Sequence, residues 1–161
     1  RLAGGAQDIA AFSAAMAAAM LSGAIQRTFD MTLDYCNTRV QFGKSIGKFQ
    51  ALQQQLSVMA EHVLAATIAA ECAFRCTGSV PLPLAAAIAK SRASEAAGLV
   101  AATAHAAHGA IGMTDEYDLG LVTRRLHDWR ISYGAEDHWN LFIGQRILQD
   151  DGTLADQVRE L

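Results

Sequence analysis

The chain has 161 residues, 52% of them hydrophobic and 18% charged, with a formal net charge of −3. This composition excludes a disordered chain, and with no basic block it excludes a nucleic-acid footprint. The length suffices for one compact domain with a core of its own.

Alanine supplies much of the apolar content and loses no side-chain entropy in a helix. Pro81 and Pro83 are the only prolines, and β-branched residues are sparse. An all-α domain is expected. The first helix is expected from about Ala6 to Cys36, with Phe12, Met16, Met20, Ile25 and Phe29 as its apolar stripe. Ile9 to Gln26 carries no charge, at the short end of the range for a membrane span. Its Ala, Ser, Gly and Gln gain little on entering lipid, and no basic region leads it, so a buried bundle helix is expected instead. The chain starts at Arg1, as a processed protein or a domain of a longer one would.

The polar stretch Asn37 to Gly47 breaks the helical pattern. A second helix begins near Lys48, where Phe49, Leu52, Leu56, Met59 and Val63 recur at steps of three and four. Gly78 is its expected stop, and Ser79 to Pro83 opens the third helix, Leu84 to His108. Lys90, Arg92 and Glu95 are read as its wetter side. After Gly109 to Gly112 come a loop, a short helix within MTDEYDLGLVTRRLHDWR, and a last helix from Ala135 to Leu148. Residues 1–150 are therefore read as an up-and-down bundle of four to five helices, and 151–161 as a polar tail.

Several chemistries can be weighed on residues alone. A di-iron bundle needs Glu-x-x-His pairs, and none occurs; His105 and His108 are read as a packing pair at a helix end, so no metal site is expected. No serine sits in a nucleophile-elbow pattern. Cys36, Cys72 and Cys76 are read as small core residues in a reducing compartment. A phosphate corner has more support. Arg39 offers a fork of donors, Phe42 a flat face for a base, Gly43 a sharp reversal, and Gln50 the N-terminus of a helix. A surface turn with a solvated arginine is the plainer alternative.

Three stretches carry a resemblance. YCNTRVQFGKSIGKFQALQQQLSVMAEH resembles the junction of the first two helices in the C-terminal domain of acyl-CoA dehydrogenases. AHGAIGMTDEYDLGLVTRR is similar to that family's glycine turn and the segment after it, and ISYGAEDHWNLFIGQRIL to the helix at its active-site end. They occur in order, from about Ala6 to Leu148. The resemblance implies a left-handed helical bundle that binds an edge of flavin adenine dinucleotide (FAD) and builds a dimer or tetramer. It implies that Arg39 reaches the pyrophosphate across the subunit interface. It also implies that Phe42 lies by the adenine, and that Gln41, Phe49, Gln50, Gly109 and Ala110 complete the cofactor contacts.

The departures are specific. Ala106 stands where the family usually has glutamine, and Gly109-Ala110 replaces a double glycine. Tyr133 takes the place of the glutamate that removes the α-proton of an acyl thioester, with Gly134 beside the substrate. Some relatives carry this base on the first helix, near Ser13 here, where no carboxylate is close. Tyrosine, with a pKa of about 10, is a poor base near neutral pH. Glu136 is the substitute candidate; the plainer reading is a solvated first-turn glutamate favoured by the helix dipole. The parent reaction implied is α,β-desaturation of an acyl-CoA. The acyl-CoA would bind through domains outside this sequence, in a cytoplasmic protein that passes electrons to an electron-transfer flavoprotein. Turnover would depend on Glu136 or on a catalytic subunit in a hetero-oligomer. The alternative is a degenerate bundle serving only assembly.

Overall fold

The computed structural model describes residues 5–75 and 80–149. Among them are five α-helices: α1 Ala6–Thr38, α2 Gln50–Ala73, α3 Pro83–His108, α4 Leu119–Ile131 and α5 Glu136–Gln149. A two-strand ribbon, β1 Val40–Gln41 and β2 Lys44–Ser45, joins α1 to α2. The expected polar break is thus an ordered hairpin, a small β addition to an all-α fold. The tail 151–161, Cys76 and the expected stop at Gly78 lie outside the described residues.

The helix ends follow local chemistry. Gly5 precedes α1 and donates its N–H to Asp8 at 3.2 Å, the reach-back half of a capping box. Pro83 opens α3, where its missing N–H is not needed, and Gly109 closes it at φ 63°.

α3 is the central element and packs against α1, α2, α4 and α5. Alanine makes this possible. Ala11, Ala14, Ala15 and Ala18 of α1 and Ala86, Ala89, Ala93, Ala96 and Ala97 of α3 are all buried. Small side chains let helix axes approach toward the lower end of the usual packing distance. Leu21, Ile25, Met59, Leu119 and Leu126 fill the remaining space at 0% exposure.

The expected stripe on α1 needs correction. Ile25 is buried and Phe29 half-buried, but Phe12, Met16 and Met20 are exposed. Choosing the face by side-chain size failed because the tight contact with α3 uses alanines, while the long side chains occupy the outer surface. The α2 seam fares better: Met59 and Val63 are buried, and Ala66, Ala70 and Ala73 continue it at the same steps. Lys90 requires the clearest correction. It is 0% exposed, in register with Ala86, Ala93 and Ala97, and not on a wet face. Arg92 and Glu95 keep the expected surface role, with a 3.3 Å ion pair.

By length and composition, α1 and α2 could each cross a membrane. Here 44% and 28% of their most apolar windows are buried within the bundle. Cys36 is fully buried, and burial raises its thiol pKa.

Candidate functional site

The predicted residues fall into two regions. The first is the α1–α2 corner. Val40 pairs with Ser45 and Gln41 with Lys44, leaving Phe42 and Gly43 as a two-residue turn. Both have positive φ, 51° and 80°, as a type I′ hairpin turn requires. Gly43 adopts this freely, whereas Phe42 is strained. Phe42 is 92% exposed, so no burial within the chain offsets that strain. Its ring meets Phe49 edge to face at 6.2 Å, and the Lys44 ammonium lies 4.2 Å over the Phe49 ring. Arg39 caps α1 through its backbone N–H to Tyr35 O at 2.9 Å, leaving its side chain exposed. Gln50 is the exposed first residue of α2. An open aromatic face, two cations and a helix N-terminus therefore sit within a dozen residues.

Gly109 and Ala110 join this end of the molecule through the end of α3. The buried His108 ring stacks on Tyr35 of α1 at 4.3 Å and lies 4.9 Å from Tyr117. The Tyr35 hydroxyl donates to His108 O at 3.4 Å. Nδ1 of His108 lies 2.8 Å from Ala104 O and must donate to it, which leaves Nε2 as a buried acceptor without a partner. Thr123 gives its own proton to Leu119 O, so His105 Nε2 donates to Thr123 Oγ1 at 2.9 Å. The pair packs, as expected, and among the described residues no three His, Cys, Asp or Glu converge on a metal-sized centre.

Burial lowers the His108 pKa below 6.5; the Ala104 hydrogen bond opposes this, and His105 adds to it. The unfolded chain therefore takes up this proton first as pH falls. Stability is expected to decline as pH drops below about 6.5, and His108→Gln should flatten that decline in urea titrations at stepped pH.

Ala106, at the missing glutamine, borders an open groove between α2 and α3 with Gln54, Gln55 and Val58. Two amides from α2 thus line the groove that lacks one from α3.

The second region is the α4–α5 turn. Tyr133 is 64% exposed at φ 58°, and Gly134 has φ 95°. Glu136 is not the solvated first-turn residue of the plainer reading. Its side chain is 16% exposed and accepts from Arg130 Nε at 3.1 Å to both oxygens, and from Arg130 Nη2 as well. These hydrogen bonds hold its carboxyl below the usual range, weakening it as a proton acceptor. Arg130 lies over Gly98 of α3, where an added Cβ would come within 3.1 Å of its guanidinium. Ser13, where an alternative base was sought, is half-buried on α1.

Sequence reasoning missed the residue that organises this turn. Lys90 Nζ donates to Ser94 Oγ at 2.7 Å, and to Arg130 O and Gly134 O at 2.8 Å each. The available signal was the row Lys90, Ser94, Gly98, one helical turn apart in an alanine-rich face.

The two regions do not meet within one chain. Lys90, beside the turn, and His108, beside the corner, are separated along α3 by about 27 Å at 1.5 Å per residue.

The family profile "Acyl-CoA dehydrogenase, C-terminal domain" matches residues 6–148. "Acyl-CoA dehydrogenase IpdE2" of Mycobacterium tuberculosis is 39% identical over 119 residues, 74% of this chain and 36% of that protein. "3-sulfinopropanoyl-CoA desulfinase" of Paraburkholderia xenovorans is 37% identical over 119 residues, 74% of this chain and 31% of its own. Among solved structures, a glutaryl-coenzyme A dehydrogenase in complex with glutaryl-CoA superposes with a TM-score of 0.79 at 30% identity, covering 89% of this chain and 37% of that one. The ChsE4–ChsE5 complex of Mycobacterium tuberculosis gives 0.81 at 26%, with 89% and 39% covered. The chain thus spans roughly a third of the length of these relatives.

Proposed function

Because the chain belongs to the acyl-CoA dehydrogenase family, as its C-terminal helical domain, we propose that it binds one edge of FAD and assembles into an oligomer whose parent reaction is α,β-desaturation of an acyl-CoA. The observation that carries this reading is the α1–α2 corner. Phe42 is held strained and almost wholly exposed in the hairpin that follows Arg39, and its edge-to-face contact with Phe49 is the one aromatic contact it makes among the described residues. Arg39 would hold the pyrophosphate, Phe42 and Phe49 would flank the adenine, and Gln41, Gln50, Gly109 and Ala110 would complete the edge. FAD, when bound, supplies the hydride acceptor.

The distance between the corner and the α4–α5 turn supports a shared cofactor. One chain's corner would serve the FAD of a neighbouring chain, and its Tyr133–Gly134 turn would face the acyl thioester at another. The assembly is a homodimer or tetramer, or a hetero-oligomer with a subunit that keeps the usual glutamate; electrons pass to an electron-transfer flavoprotein, and the protein works in the cytoplasm. With Glu136 committed to Arg130, we assign it to the turn's stability, and the α-proton at this turn to a carboxylate that a neighbouring subunit supplies. Tyr133 gives the second reading its footing: a non-catalytic subunit or assembly module that has lost the base.

The test is anaerobic mixing of the FAD-loaded full-length parent protein, in the assembly it forms, with short, medium and long saturated acyl-CoAs. Bleaching of the flavin band is expected with at least one of them. Glu136→Gln should leave its rate near wild type and cost about 1 kcal/mol of stability from the part-exposed ion pair. A large loss of rate would return Glu136 to the role of base. A wild-type protein that binds FAD and is bleached by no acyl-CoA would favour the assembly reading.

A further inference from the structure

A fully buried lysine is expensive, because its charge leaves water. Lys90 is buried to 0% exposure in an alanine-rich face, so its place needs a reason. An ammonium has three N–H donors, and here each has one acceptor: Ser94 Oγ, Arg130 O and Gly134 O. With every donor engaged and no exposure, Lys90 is no nucleophile. What it does is grip a turn at both ends. Arg130 O is at the close of α4, and Gly134 O lies just beyond Tyr133.

The grip is reinforced. Ser94 Oγ also donates to Arg130 O at 3.2 Å, and Trp139 Nε1 of α5 donates to Tyr133 O at 3.0 Å. The carbonyls of residues 130, 133 and 134 are thus fixed by side chains from α3 and α5. Tyr133, within this grip, has the left-handed φ that a bulky residue keeps only when its surroundings over-determine it. The charged groups facing the ammonium are the Glu136 carboxylate, which favours its proton, and the Arg130 guanidinium, which opposes it.

We propose that Lys90 is a positioning residue: its ammonium, locked under the α4–α5 turn, holds Tyr133–Gly134 in the left-handed conformation that aims the exposed Tyr133 ring at the acyl thioester. The clamp stands on geometry in this chain. Its link to the acyl group rests on the function proposed above.

Two measurements separate these parts. The first is ¹H–¹⁵N NMR of the 161-residue chain and its Lys90→Met variant, which keeps the length of the side chain without its charge. Lys90→Met should retain helical circular dichroism and shift the amides of Tyr133 and Gly134 and the indole N–H of Trp139. The Val40–Ser45 hairpin signals should stay in place. Burial pushes the Lys90 pKa down to about 8. The same turn signals in the wild type should therefore move with a midpoint near pH 8, a readout that survives if the variant fails to fold. Turn signals flat from pH 7 through the ordinary lysine range near 10.5, or unmoved in a folded Lys90→Met, would overturn the clamp. The second measurement is the rate of flavin bleaching in the FAD-loaded full-length parent assembly at saturating acyl-CoA. Lys90→Met should slow it about 10- to 100-fold, the cost of misplacing a site by an ångström, with acyl-CoA affinity and FAD retention unchanged. An unchanged rate would overturn the positioning role. If no acyl-CoA bleaches the wild type, the function reading and the acyl half of this proposal fall together, while the NMR result still decides the clamp.

Discussion

Gly134→Ala is expected to destabilise the bundle by about 2–4 kcal/mol, from left-handed strain and overpacking together. Gly134 has φ 95°, a conformation an L side chain resists. An added Cβ would also lie 2.7 Å from His138 Cδ2 and 2.8 Å from Trp139 Nε1. Trp139 is not free to yield: it is 6% exposed, packs edge to face on Phe142, and uses that same nitrogen to hold Tyr133 O. Gly109→Ala is the control. Gly109 has φ 63° and ψ −140° but open space where its Cβ would be, so only backbone strain of about 1–3 kcal/mol applies. Urea denaturation of both variants separates the terms; equal losses would mean that the His138–Trp139 contact is soft.

Arg39→Ala is expected to weaken FAD retention about 10- to 100-fold, since a hydrogen bond to a charged group contributes roughly 1.5–3 kcal/mol. It should leave the fold and the assembly intact. Arg39 stabilises the α1–α2 corner through its backbone alone: its N–H meets Tyr35 O and its carbonyl accepts from Ile46 N–H, both at 2.9 Å. Alanine keeps both bonds. Filtration binding with FAD, read beside size-exclusion elution, checks this. Loss of the oligomer together with the flavin would show that Arg39 acts at an interface and not on the cofactor.

The helices were legible because their signals are local. Alanine content, the two prolines and the glycines at 43 and 109 placed α1, α3, α5 and the start of α2 within about two residues of where they lie, while α4 was expected only as a short helix without bounds. The seam Leu52, Leu56, Met59, Val63 was legible because its large residues do face inward. The α1 stripe was not, because periodicity weighted by size cannot see that alanine makes the closer contact. The corner was legible as a reversal, since Gly43 marks the turn that the structure builds between Val40–Gln41 and Lys44–Ser45. Lys90 was hidden by its charge. A lysine between alanines reads as a solvent face until its acceptors are known, and two of them are carbonyls forty or more residues away. Glu136 was misjudged similarly: its partner Arg130 lies across a turn whose shape depends on Tyr133 and Gly134.

The central claim is that this bundle owns a cofactor edge and shares it between chains. It is tested most directly by following flavin absorbance through a size-exclusion run of the 161-residue chain after FAD is added. The account predicts flavin absorbance travelling with a protein peak larger than one chain. A monomer peak, or an oligomer peak free of flavin absorbance, would contradict it.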